Sequence, residues 1–122
     1  MVTGLLSFGK RIKELRLQQR LTQRELATKV AIDVGYVSKI EADKVPPPSE
    51  KVIAGLAAAL GADKDELMIL AGRAPQDLAP IITRDARIPN ILRRASGLSA
   101  QDWEKIALYI EQLKAGKGGI DH

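Results

Sequence analysis

Within the stretch Thr22 to Glu41, TQRELATKVAIDVGYVSKIE, two helix-start signals lie so close together that only a very short turn fits between them. Thr22 is the residue type of a helix N-cap, and Glu25, three residues on, completes a capping box, with Leu21 and Leu26 flanking it as a hydrophobic staple. Asp33 is the next N-cap, and Ile32 and Val37 take the staple positions. Leu26 and Val30 point to one side of the first helix, Val37 and Ile40 to one side of the second. Ala31-Ile32 alone joins them, so the two short helices must cross steeply.

The flanking sequence predicts more helices and no strand. Phe8, Ile12 and Leu15 recur at helical spacing over Phe8 to Gln19. Pro46, Pro47 and Pro48 force an extended connection, read as a stiff link rather than a polyproline ligand. Ser49 caps a fourth helix with Val52, Ile53, Leu56 and Leu60 inward, ended by Gly61. Asp63 caps a fifth, with Glu66 as box partner, Leu67, Leu70 and Ala71 as its apolar face and Gly72 as its stop. The expected fold is therefore all-α: a five-helix domain over residues 8–72, followed by a short helical C-terminal extension over 76–115.

The paired helices have the layout of a helix-turn-helix, whose second helix fits the major groove of double-stranded DNA. Charge agrees: residues 1–29 carry Lys10, Arg11, Lys13, Arg16, Arg20, Arg24 and Lys29 against Glu14 and Glu25, a net +5, while the whole chain is +4. A local basic face suits phosphate contacts.

Thr22-Gln23, Glu25-Leu26-Ala27, Val30, Val37-Ser38, Ile40-Glu41, Pro48-Ser49 and Leu56-Ala57-Ala59-Leu60-Gly61 resemble the lambda-repressor/Cro-like (XRE) family over about residues 8 to 72. The resemblance implies a five-helix DNA-binding domain that works as a homodimer on an operator. It places Val34, Gly35 and Lys39 at base-reading positions, with Tyr36 adjacent, either exposed to DNA or packed in part on the preceding helix. Gln23 resembles the family's phosphate-anchoring glutamine; Thr22, Arg24, Ser38 and Lys44 are read as further phosphate contacts. Arg16 and Glu41 match an ion pair tying the first helix to the end of the third. Two departures stand out: Ala31 occupies the position of the usual turn glycine, and Asp43 that of the glycine after the recognition helix, where aspartate tolerates left-handed geometry.

Beyond Pro75, a short helix is expected over Gln76 to Ile82 and another from Pro89 to about Ala95, broken by Gly97. Ser99 and Asp102 form a capping box, with Leu98 and Trp103 as staple. Trp103, Ile106, Ala107, Ile110, Leu113 and Lys114 then make a ladder that Gly116, Gly118 and Gly119 are expected to end. Trp103, Ile106, Ala107, Ile110 and Leu113 are assigned to dimerisation; the competitor is packing on the same chain's Leu5, Leu6 and Phe8. Arg93-Arg94 is read as solvent-facing rather than as a DNA contact.

The chain has no cysteine, and its one histidine, His122, stands at the very end, read as a frayed terminus or tag remnant. Disulfides and a metal site are thereby excluded, and no cofactor is expected. Ser38 has no histidine to activate it and Lys39 sits on the presumed DNA face, so an enzyme is not expected. No run reaches transmembrane length and MVTGLLSFG lacks a signal-peptide layout, which points to the cytoplasm. The expected function is a sequence-specific transcriptional regulator, a repressor rather than an activator. The alternative is an antitoxin-like or protein-interaction module whose C-terminal helices bind a partner protein.

Overall fold

The computed structural model describes the backbone of residues 6–120 and the side chains of residues 6–116; Leu5 and His122 lie outside them. Every regular element among the described residues is helical. The first five are α1 (Phe8–Gln18), α2 (Gln23–Val30), α3 (Val34–Glu41), α4 (Glu50–Leu60) and α5 (Lys64–Leu70). A 3-10 turn (Gln76–Leu78) leads to α6 (Ala79–Ile82), α7 (Arg87–Arg94) and α8 (Ala100–Ile120). The chain divides into two compact units between Leu78 and Ala79.

Each helix of the first unit starts at a side-chain cap. Ser7, Thr22 and Ser49 accept from the backbone N–H three residues on, while Asp33 and Asp63 accept from the one two residues on. The difference comes from the acceptor. A hydroxyl on Cβ reaches the third helical N–H and leaves the cap's own N–H for a returning glutamate, and Thr22 and Glu25 bond reciprocally in this way at 2.8 and 3.0 Å. The longer Asp63 carboxylate instead closes on Asp65 at 2.9 Å. Glu66 is left out of the box expected for it and accepts from Arg11 Nε of α1 at 3.2 Å.

The core of this unit joins all five helices. Phe8, Ile12 and Leu15 of α1 meet Leu26 and Ala27 of α2, Val37 and Ile40 of α3, Ile53, Leu56, Ala57 and Leu60 of α4, and Leu67 and Met68 of α5. Met68, not read as a core residue, is buried; Leu70 and Ala71, expected on the apolar face, pack only partly. Phe8 belongs to this core. Helix α1 passes close over the end of α3: a Cβ on Gly9 would overlap the Ile40 carbonyl oxygen and the Asp43 carboxylate. Asp43, at φ +57°, accepts from Ser7 Oγ at 2.7 Å and from the Gly9 N–H at 3.1 Å. The guanidinium of Arg73 binds the carbonyls of Pro47 and Pro48, which fixes the path of the proline connection.

In the second unit, α7 begins two residues before Pro89, where Asp85 accepts from the Arg87 N–H at 2.8 Å and pairs with its guanidinium. Gly97 has φ +90°, and Ser99 and Asp102 form a reciprocal box at the start of α8. The helix then runs through Gly116 to Ile120 instead of ending near residue 115. Glycine lowers helix propensity by about 1 kcal/mol but, unlike proline, blocks neither the hydrogen bond nor the space of the next turn. Trp103, Ile110 and Leu113 remain 45–48% exposed on α8, Tyr109 is exposed beside them, and Ile106 is half-buried. No helix among the described residues is long and apolar enough to cross a membrane.

Candidate nucleic-acid interface

The turn between α2 and α3 is made by Ala31 at φ +63°, ψ +45°. Its N–H and that of Ile32 both return to the Ala27 carbonyl, at 3.0 Å for Ile32, closing α2 as a left-handed residue does. Asp33 then caps α3 through the Gly35 N–H at 3.1 Å. These two local devices make the joint between α2 and α3 without help from a longer loop.

On α3, Val37, Ile40 and Glu41 are buried, whereas Gly35, Ser38 and Lys39 are exposed. Val34, expected at a base-reading position, and Tyr36, for which the sequence leaves exposure and partial packing both open, are half-buried and packed against the core. Their apolar parts are drawn in because α3 packs against both α1 and α2, which cover more than one side of so short a helix. Lys44, beyond the left-handed Asp43, is exposed.

Thr22 and Arg24 are exposed at the start of α2. The Thr22 hydroxyl oxygen accepts from the Glu25 N–H and the Thr22 N–H donates to Glu25, so the capping box uses the hydroxyl as an acceptor and leaves its hydrogen unused. Gln23 is half-buried, and its Nε2 donates to Glu41 Oε1 at 3.0 Å. That contact was not legible in the sequence, because it joins the first residue of α2 to the last of α3.

Glu41 is the centre of a buried cluster. Its Oε2 accepts from Arg16 Nε at 2.7 Å and its Oε1 from Arg16 Nη2 at 2.9 Å, a bidentate pair. The Arg16 and Glu41 side chains are only 9% and 3% exposed. Arg16 Nη1 also donates to the Leu21 carbonyl at 2.8 Å, at the entry to α2. The Glu41 carboxylate holds the Arg16 guanidinium charged more firmly than usual, against the cost of burial. The ends of α1, α2 and α3 are thus fastened through one ion pair.

Trp103, Ile106, Ala107, Ile110 and Leu113 share one face of α8, as helical spacing requires, and lie in the second unit. Among the described residues no group of acidic, histidine or cysteine side chains is placed to hold a metal.

The family described as helix-turn-helix domain matches residues 7–68. No curated protein matches the chain. Among solved structures, a chain of the structure titled SinR protein/SinI protein complex is similar in fold, with 24% identity and a TM-score of 0.50. The alignment covers 88% of this chain and 98% of that one. With two capped helices joined at a left-handed residue inside a five-helix core, and with the family match running from the start of α1 into α5, the chain belongs to the helix-turn-helix domain family and has a lambda-repressor-like all-α fold.

Proposed function

We propose that this protein is a sequence-specific double-stranded DNA-binding transcriptional regulator, a repressor that works as a homodimer. The observation that carries the reading is the outward face of α3: Gly35, Ser38 and Lys39 are exposed on a helix whose other face is locked into the core. A helix of this kind enters the major groove with its first turns against base edges. Lys39 donates to guanine O6 and N7, Gly35 lets the backbone approach, and Val34 and Tyr36 offer their uncovered parts to bases. Thr22, Gln23, Arg24, Ser38 and Lys44 contact phosphates and set the register. Repression needs only occupancy of an operator.

Residues 8–72 take the DNA-binding role in this reading and 76–115 that of assembly. The support is the apolar arc of Trp103, Ile106, Ala107, Ile110 and Leu113, wider and more exposed than a peripheral helix needs. One module reads only a few base pairs, and two related by a twofold axis read a pair of half-sites. The same arc supports a second reading, a protein partner seated on α8; the similar solved chain comes from a complex of the SinR protein with the SinI protein.

The test is selection of bound duplexes from a random pool, with footprinting and sedimentation of the free protein. The expected result is a symmetric site, a dimer mass, and for Lys39→Ala a loss of about 1–3 kcal/mol confined to one or two base positions. Equal weakening of Lys39→Ala on selected and scrambled duplexes rules out base reading, and a monomer mass rules out the homodimer.

A further inference from the structure

Glu41 Oε1 accepts two hydrogen bonds at once, from Arg16 Nη2 at 2.9 Å and from Gln23 Nε2 at 3.0 Å. We infer that the buried Arg16–Glu41 pair is a positioning device for DNA binding: it holds the Gln23 amide in the orientation that meets a phosphate. The inference rests on the regulator reading above and adds two residues that touch no DNA themselves.

The chemistry of the acceptor fixes the amide. An ionised carboxylate only accepts, so the nitrogen of Gln23, not its oxygen, must face Glu41. One of the two Nε2 hydrogens is then used inward and the other remains for a ligand. At a helix start, where first-turn backbone N–H groups lack partners within the helix, the matching ligand for that hydrogen is an anionic oxygen. The carboxylate alone would oppose an approaching phosphate. Arg16 removes that opposition by neutralising Glu41 from within, and its bond to the Leu21 carbonyl ties the same arginine to the entry of α2. A glutamine left to rotate would instead lose rotamer freedom each time DNA bound.

A double-mutant cycle separates this role from simple fold maintenance. Replacing a buried ion pair by apolar residues of similar volume is often neutral for folding, so Arg16→Met with Glu41→Leu removes the amide's acceptor while keeping the packing. The probe is a short duplex carrying the site recovered by the selection above, at low salt, on which a phosphate contact and a base contact both register. Gln23→Ala and Lys39→Ala are each measured in the parent and in the pair-less background. The expected result is that Gln23→Ala costs about three- to tenfold less affinity in the pair-less background than in the parent, the factor for ordering one long polar side chain. Lys39→Ala costs the same factor in both, because a distorted domain would change both costs and a lost positioning contact only the first. An equal Gln23→Ala factor in the two backgrounds, or a parallel change for Lys39→Ala, overturns the inference. Failure of the parent to bind any duplex overturns the regulator reading and this inference with it, whereas equal factors in a parent that binds overturn the inference alone. If circular dichroism finds the double variant unfolded, Glu41→Asp carries the same cycle: it keeps the charge opposite Arg16 and draws the oxygen back from Gln23 by one methylene.

Discussion

Replacing Ala31 by glycine is expected to stabilise the first unit, and the magnitude follows from its backbone. Ala31 sits at φ +63°, ψ +45°, where a Cβ crowds the following carbonyl at a cost of about 1–2 kcal/mol. Its side chain is exposed, so removal of the methyl forfeits little burial. Against the relief stands the greater freedom of glycine in the unfolded chain, about 0.4–1 kcal/mol. The net gain is about 0.5–1 kcal/mol, and a domain of this size converts that into a rise in Tm of roughly 2–8 °C. Ala42 provides the control. It is also exposed beside a helix end but has φ −88°, so Ala42→Gly brings the entropy cost without the relief and lowers Tm. Thermal and urea unfolding followed by circular dichroism measure both, with an unchanged urea slope required for the comparison. Opposite signs for the two substitutions are expected. A fall in Tm for Ala31→Gly refutes the left-handed turn as the joint between α2 and α3.

Gly9→Ala is expected to cost about 3 kcal/mol or more, since its methyl would enter the space of the Ile40 backbone carbonyl where α1 crosses α3; urea unfolding checks this, and a variant as stable as the parent refutes the close crossing. The Glu50 carboxylate accepts from Lys64 at 2.7 Å, which holds its pKa below the usual glutamate range. Its contribution to stability is therefore complete above the unfolded pKa and is lost as pH falls through the lowered folded value. Lys64→Met should bring the Glu50 midpoint back up in a side-chain carboxyl NMR titration, and an unmoved midpoint refutes the pairing.

What the sequence made legible was what local chemistry decides. Thr22, Asp33, Ser49, Asp63 and Ser99 announce helix starts because a cap engages N–H groups only two or three residues away. Ile53, Leu56 and Leu60 announce a buried face because their spacing is that of the helix itself. Hidden were the contacts that residues far apart negotiate. Glu66 has the spacing of a box partner but bonds Arg11; Gln23 has the position of a phosphate anchor but also bonds Glu41; Arg73 and Gly9 carry no pattern that names Pro47 or Ile40 as neighbours. The capping box at Asp63 fails for a reason that sharpens the rule. Among the described caps, the reciprocal boxes form at Thr22 and Ser99, both hydroxyls, and the aspartates close one residue earlier. The glycines after Leu113 misled in the other direction, since weak helix propensity is not a stop.

The division of labour within α3 links this folding logic to the proposed role. Eight residues are too few for a helix to stand alone in water, and Gly35 weakens it by a further ~1 kcal/mol. Its stability comes from the inward side: the Asp33 cap, the buried Val37 and Ile40, and Glu41 locked to Arg16. The outward side chains of Ser38 and Lys39 belong to none of these contacts, whereas Gly35 gives its N–H to the Asp33 cap and a Cβ there would press on that carboxylate. Substitutions at Ser38 or Lys39 can alter what the helix meets while the fold stays in place, and substitutions at Val37 or Glu41 cannot. For a reader of DNA, this separation allows the recognised sequence to change without loss of the reading frame. The half-buried Val34 and Tyr36 mark its boundary, because a change at either touches the core and the outer face together.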